Sequence, residues 1–332
     1  MEAPILVEVT RGPAVECRHR GEIAVVNVKG EVQRHLGDVD TPVCLRSLAK
    51  PFQALPLLAT GAAQAFGFGD RELALCSGSL SGQEFHVDLV KDILKRLKLT
   101  PEALQCGAHA PLHRPTAKAL AQTGEKPQAV HHTCAGKHAG MLALCLHHGW
   151  PVENYMEPDH PVQRLMLTTV AQLVGLPPKQ IVVATDGCGV PTFYVPLRHI
   201  ALGFARLAGA QEGSPAAKLL DAALTHPRLI AGDGRLETTL MEVLAGRVFA
   251  KTGAEGGFAL AVREGGGLGL AVKIEDGGSR ALGPAIIHLL KELNFLSPEA
   301  EKALAALGQP AILNQRKQQI GGLRPAFSLV EG

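Results

Sequence analysis

Strand-like patterns stand at both ends of this 332-residue chain and helical ones between them, and that arrangement limits the fold more than any single motif. Residues 15–18 and 23–29 read as short strands, the second closed by Gly30. Near the other end, residues 247–251, 257–262 and 267–274 read the same way, joined by Gly-rich turns. Between them, helix-period apolar patterns cover residues 138–148, 161–174, 196–208, 215–224 and 236–244, several with Pro or Ser at the start and Gly just past the end. A closing helix is expected over residues 280–293. One sheet drawn from both termini requires the helical region to be inserted into it. The expected fold class is α/β: an antiparallel sheet built from both chain termini and flanked by helices. Residues 1–332 form a single catalytic domain in this reading, with a sheet lobe at about 1–45 and 246–332 and a helical lobe at about 46–245.

Charge and apolar patterning exclude several classes. The net charge is +2, and no Lys/Arg run resembles a nucleic-acid stripe. The densest basic cluster, Lys91, Lys95, Arg96 and Lys98, lies opposite Leu89, Val90, Ile93, Leu94 and Leu97, as on a solvated helix face. No apolar stretch approaches the ~18 residues of a membrane span. The N-terminal residues have neither the basic start nor the apolar region of an export signal. With seven cysteines, an odd number, the expectation is free thiols in a reducing, cytoplasmic compartment. Residues 106–135 read as a long loop, and 181–184 as a buried strand running into Thr185-Asp186-Gly187-Cys188-Gly189.

The chemistry-bearing stretch is Arg46-Ser47-Leu48-Ala49-Lys50, followed by an apolar run. In a helix, Ser47 and Lys50 share a face and can touch, giving a nucleophile with a base beside it. Placed in the first turn, Ser47 would also find unpaired N–H groups and a positive dipole end, which favour an oxyanion. A second pair is expected between Ser79, in a small-residue turn, and Lys251, on a C-terminal strand. Lysine has a reference pKa of ~10.4, so a basic amine at neutral pH needs burial or a second cation close by. The order Ser-x-x-Lys, then Lys251-Thr252-Gly253, then a closing helix is similar to serine β-lactamases, penicillin-binding proteins and glutaminases, and Ser47 starts the one Ser-x-x-Lys in the chain. Separately, Cys134 and Cys188 lie in Gly-flanked turns suited to zinc, with His131, His132 or His138 the expected third ligand on chemical grounds. Asp186 is free to pair with an ammonium or to cap a turn.

Taken together, Arg46-Ser47-Leu48-Ala49-Lys50-Pro51, Ser79-Leu80-Ser81-Gly82, His132-Thr133-Cys134-Ala135-Gly136-Lys137-His138, Thr185-Asp186-Gly187-Cys188-Gly189 and Lys251-Thr252-Gly253-Ala254-Glu255-Gly256 resemble the rhizobial-type (class 3) L-asparaginases of the asparaginase II family. That resemblance implies a serine β-lactamase/glutaminase-like fold, a homodimer, and hydrolysis of L-asparagine to L-aspartate and ammonia. It implies Ser47 with Lys50 and Ser79 with Lys251 as catalytic pairs, and zinc held by Cys134, Lys137 and Cys188 in support of substrate binding. Arg46, Asp186, Gly253 and Glu255 are the expected substrate contacts. Ser47 would attack the amide carbon with Lys50 as base, while N–H groups near Ser47 and in the 253–256 turn hold the oxyanion. The family often has Ser-His-Ser-Gly-Glu where this chain has Ser79-Leu80-Ser81-Gly82-Gln83. A penicillin-recognising or esterase-type hydrolase is the alternative enzyme, although the Ser-x-Asn element expected of one is missing. A zinc/thiol protein without turnover is the non-enzyme alternative.

Overall fold

The computed structural model describes residues 2–332. Its main sheet is antiparallel and comes from both termini. β1 (Ile5–Arg11), β2 (Ala14–Asn27) and β3 (Val32–Leu36) open the chain, β4 (Pro42–Cys44) leaves the sheet, and β5 (Val182–Thr185) and β6 (Pro191–Pro196) lie in the middle of the sequence. β7 (Val248–Thr252), β8 (Gly257–Val262), β9 (Leu268–Ile274), β10 (Ala311–Leu313), β11 (Gln319–Pro325) and β12 (Val330–Glu331) follow. The strand order is β10-β11-β1-β2-β9-β8-β7, with β3 paired to β2 and to β12. β2 is one long strand where two short ones were expected. Its first half pairs with β1 and its second half with β9, and the exchange falls at Gly21. A Cβ there would stand 2.0 Å from the Lys273 carbonyl oxygen, so a side chain at this position would part the strands.

β8 is buried at all six residues, as a strand covered on both faces must be. The helix Leu197–Ala208 packs on β2, β8 and β9. Gly269 of β9 permits that approach: a Cβ added to it would stand 1.7 Å from the Ala201 carbonyl oxygen. Among the helices the central one is Lys50–Ala59, which packs against Asp70–Ser77, Ala135–His148, Pro161–Val174 and Pro215–Thr225. Its Phe52 is fully buried and meets Phe204 edge-on at 5.3 Å between ring centroids. The expected layout of a terminal sheet with helices inserted between its strands is therefore present.

Several local expectations are corrected. Residues 106–135 are not one loop, since Arg114–Gln122 is a helix; its Pro sits in the first turn and its Ala-rich sequence favours helix without a buried face. The stretch read as a buried strand is β5, an edge strand of a three-stranded sheet ordered β4-β6-β5, and Val182 and Val183 are 64% and 43% exposed. Apolar β-branched residues suit an edge strand as well as a central one. The helix Pro298–Gly308 and the strands β10 to β12 complete the C-terminal end. No helix among the described residues is long and apolar enough to cross a membrane.

Candidate active site

Three chain segments converge where the helices meet β7. Lys50 is the first residue of the helix Lys50–Ala59, and Lys251 lies in β7 opposite Ala259 of β8. Ser79 belongs to an extended segment whose backbone is fixed from two sides. Ser79 N and Ser81 N donate to the carbonyls of Ile230 and Ala231 at 2.7 and 3.0 Å, and Leu80 N donates to Thr133 O at 3.1 Å. Gly78 allows the close approach, since a Cβ there would stand 2.7 Å from Leu229 O.

Both lysines point at one oxygen. Lys50 Nζ is 3.0 Å from Ser79 Oγ and Lys251 Nζ is 2.7 Å from it. Each amine also donates to a carbonyl, Lys50 to Thr133 at 3.0 Å and Lys251 to Thr252 at 2.9 Å. Both lysines are fully buried and Ser79 is 7% exposed. Burial holds the Lys251 ammonium well below the usual lysine range, and the Lys50 charge pushes it the same way. Burial also lowers Lys50, with Cys134 opposing and Lys137 assisting. Proton counting agrees with these directions. If both amines were ammoniums donating to Oγ, the Ser79 hydroxyl proton would have no acceptor; one neutral amine supplies it.

The Ser47 hydroxyl makes no hydrogen bond to this cluster. Arg46–Ala49 is a single 3-10 turn and the α-helix begins only at Lys50, whose backbone N–H donates to Ser47 O; the turn keeps residues i and i+3 on one side, but Lys50 Nζ bonds Ser79 Oγ and not Ser47. The Pro at position 51 takes the first turn of the helix, where its missing N–H costs nothing. Ser47 is half-buried, and its hydroxyl makes no hydrogen bond among the described residues. Arg46 has φ of 45°, a left-handed conformation rare for a side chain of its size. It is held there by the Thr192 hydroxyl, which accepts from Arg46 N at 3.2 Å, and by an ion pair with Asp186.

A second cluster adjoins the first. The donor atoms of Cys134, Asp186 and Cys188, all buried, lie within 4.8 Å of one another. Lys137 Nζ is 3.1 Å from Cys188 Sγ and 3.8 Å from Asp186 Oδ2. Gly187 N donates to Asp186 Oδ1 at 2.8 Å, fixing the carboxylate in its turn. A hydrogen bond from Cys188, aided by the Lys50 and Lys137 charges, drives Cys134 far toward thiolate despite burial. Burial disfavours the Lys137 ammonium, but Cys134, Cys188 and Asp186 outweigh it and raise its pKa. Two sulfurs and a carboxylate in one buried recess, joined by the Lys137 amine once it sheds its proton, make a donor set suited to zinc. The expected histidine ligand is corrected: His131 Nδ1 accepts from Gln128 N, His132 Nδ1 accepts from Cys134 N, and His138 Nδ1 bonds the Tyr155 hydroxyl at 2.6 Å. His138 follows Lys137 by one helical residue, which turns it to another face. Among the described residues it is Asp186, not a histidine, whose donor atom lies with the two sulfurs.

The 253–257 turn abuts the Ser47 segment, for a Cβ on Gly253 would stand 2.9 Å from Leu48 Cγ. Gly253 N already donates to Gly257 O at 2.7 Å, so it is not a vacant oxyanion donor as expected. Glu255 is exposed, with φ of 53°. Sequence reasoning had no signal for Thr133, whose carbonyl takes bonds from both Lys50 and Leu80.

A family model described as L-asparaginase II matches residues 7–325 of the chain. Among solved structures, the chain is similar to Mglu in its native form at 14% identity and TM-score 0.44, covering 83% of this chain and 61% of that one. A beta-lactamase from Mycobacterium bovis is 17% identical over 82% of this chain and 94% of its own, with TM-score 0.43. A Bacillus glutaminase is 14% identical over 82% and 91%, with TM-score 0.39. No curated protein matches the chain.

Proposed function

Starting from the chain's membership of the L-asparaginase II family, an amidohydrolase family, we propose that it hydrolyses L-asparagine to L-aspartate and ammonia through an acyl-enzyme. The observation that carries this reading is the pair of buried lysines on Ser79 Oγ, at 3.0 and 2.7 Å. An amide needs both a nucleophile stripped of its proton and a donor for the departing nitrogen. A hydroxyl between two amines whose ammonium forms are disfavoured can serve as that proton exchange.

In the proposed sequence Ser47 Oγ, half-open and unbonded, attacks the side-chain amide carbon, and its proton goes to neutral Lys50. The resulting Lys50 ammonium passes a proton through the Ser79 hydroxyl to the amide nitrogen. The C–N bond breaks, ammonia leaves, and the serine ester remains. Water then repeats the steps in reverse and releases aspartate. Arg46, fixed by Asp186, is placed to hold the substrate's carboxylate, with Glu255 toward the solvent side. Cys134, Asp186 and Cys188, with Lys137 once deprotonated, would hold zinc, which when bound supplies a Lewis-acid contact for substrate.

A second reading makes Ser79 itself the nucleophile, favoured by the two amines already on its oxygen. Ammonia release from L-asparagine and L-glutamine tests the activity, and quenched mass spectrometry of the acylated peptide separates Ser47 from Ser79. Penicilloyl labelling in place of ammonia release would turn the assignment to the penicillin-recognising alternative.

A further inference from the structure

Glu237 is 1% exposed, at the second residue of the helix Leu236–Val243, and the mechanism above does not use it. A carboxylate buried to that degree stays ionised only with a compensating charge. Arg235, just before the helix, supplies it: Arg235 Nη2 donates to Glu237 Oε1 at 3.1 Å. The guanidinium also reaches the buried Ser81 hydroxyl, Nη1 to Oγ at 3.4 Å. The same helix packs on β7, the strand that carries Lys251. Its start is tied to the segment that fixes Ser79, because the Thr238 hydroxyl donates to Gly232 O at 2.7 Å beside the Ser79–Ile230 and Ser81–Ala231 backbone bonds. The ion pair, the serine and the lysine strand thus form one connected unit.

We propose that Glu237 and Arg235 are a charge-setting pair for Lys251, fixing the pH at which Lys251 can take up the Ser79 proton. The proposal rests on the reading that Ser79 and Lys251 belong to the reacting centre. A fully buried amine that accepts a proton becomes a buried cation, and that cation needs an anion nearby. Glu237 is that anion; Arg235 offsets part of its charge and so keeps Lys251 from holding a proton permanently. The charged groups whose fields act on Lys251 are Lys50 from the helix Lys50–Ala59, Cys134 ahead of the helix Ala135–His148, and Arg235 with Glu237. Burial, Lys50 and Arg235 disfavour its ammonium, whereas Glu237 and Cys134 favour it. On the side of β8 the residue opposite is Ala259, which carries no charge.

Opposite signs make the test specific. Glu237→Gln keeps the volume and a bond to Arg235 while removing the anion. It should lower the pH midpoint of Lys251, and the rising limb of kcat/KM with it, by about one unit. Arg235→Met removes the opposing cation at a partly exposed position and should raise both by a similar amount. Glu237→Asp should stay near the wild type. Lys251 is read without substrate by NMR on protein carrying isotope-labelled lysine, the resonance being assigned from the Lys251→Met spectrum. Midpoints that stay put, or that move in the same direction in both charge-removing variants, overturn the proposal and leave the pair a packing element. If the wild type releases no ammonia from L-asparagine, the proposed substrate fails, and the NMR midpoints still decide the role of the pair.

Discussion

Replacing Lys251 with Met should change how stability depends on pH, chiefly because burial disfavours its ammonium. In the unfolded chain this lysine keeps its proton up to a pKa of ~10.4. In the fold, burial and the neighbouring Lys50 hold the pKa well below that. Between the two values the unfolded state binds one proton more, so stability rises with pH across that window by about 1.4 kcal/mol per pH unit. Every pH unit inside that window counts for this one residue alone. Methionine has similar length and no proton, so Lys251→Met should lose this slope, and its stability relative to wild type should fall by about 1.4 kcal/mol for each pH unit within the window. The thiols and Lys137 titrate in both proteins and drop out of the difference. Urea unfolding at several pH values measures it, with unchanged m confirming an unchanged unfolding reaction. Parallel stability curves would mean that Lys251 is charged inside the fold, and the proton exchange on Ser79 would lose its basis.

Ser47→Ala and Lys50→Ala should each nearly abolish ammonia release from L-asparagine, with the double variant little worse because the residues act as a unit; near-normal turnover in Ser47→Ala would transfer the attack to Ser79. Cys188→Ser should strip bound zinc and raise KM more than it lowers kcat. Elemental analysis of protein purified without chelator checks this, and an absence of metal there refutes the site. Gly269→Ala should destabilise by about 3 kcal/mol or more, since its Cβ meets the Ala201 carbonyl at 1.7 Å and the helix must lift from the sheet. A loss below about 1 kcal/mol in thermal unfolding would show that the helix–sheet spacing yields freely.

The terminal sheet was legible because its central strands are apolar and closed by glycines, and the long helices because their apolar residues recur with helical period. β10 and β11 escaped notice since Gly321, Gly322 and the surrounding polar residues give no alternation; pairing with β1 makes β11 a strand, and β10 is added on its outer side. At the site, residue types were legible but partners were not. Ser-x-x-Lys spacing suggested that Ser47 bonds Lys50, yet the Lys50 amine reaches past it to Ser79, 29 residues on. Asp186 was expected at the substrate; its place beside two cysteines depends on the turn between β5 and β6, which brings Asp186 and Cys188 to one side. Glu237 carried no sequence signal, since its burial comes from the docking of its helix on β7 and on the helices Pro227–Ile230 and Pro298–Gly308.

A sheet assembled from both termini also sets a timetable. During synthesis Lys50, Ser79, Cys134 and Cys188 emerge early, while Lys251 follows 172 residues behind Ser79. Until β7 emerges and β8 follows to pair with it, the serine has one amine instead of two and the helical region lacks these strands of its sheet. A ribosome adds about 5–20 residues per second, so this half-built centre persists for roughly ten seconds or more. The proposed reacting groups therefore come together only after β7 has been made, and a nascent or truncated chain that stops before it carries the thiols and the serine without Lys251.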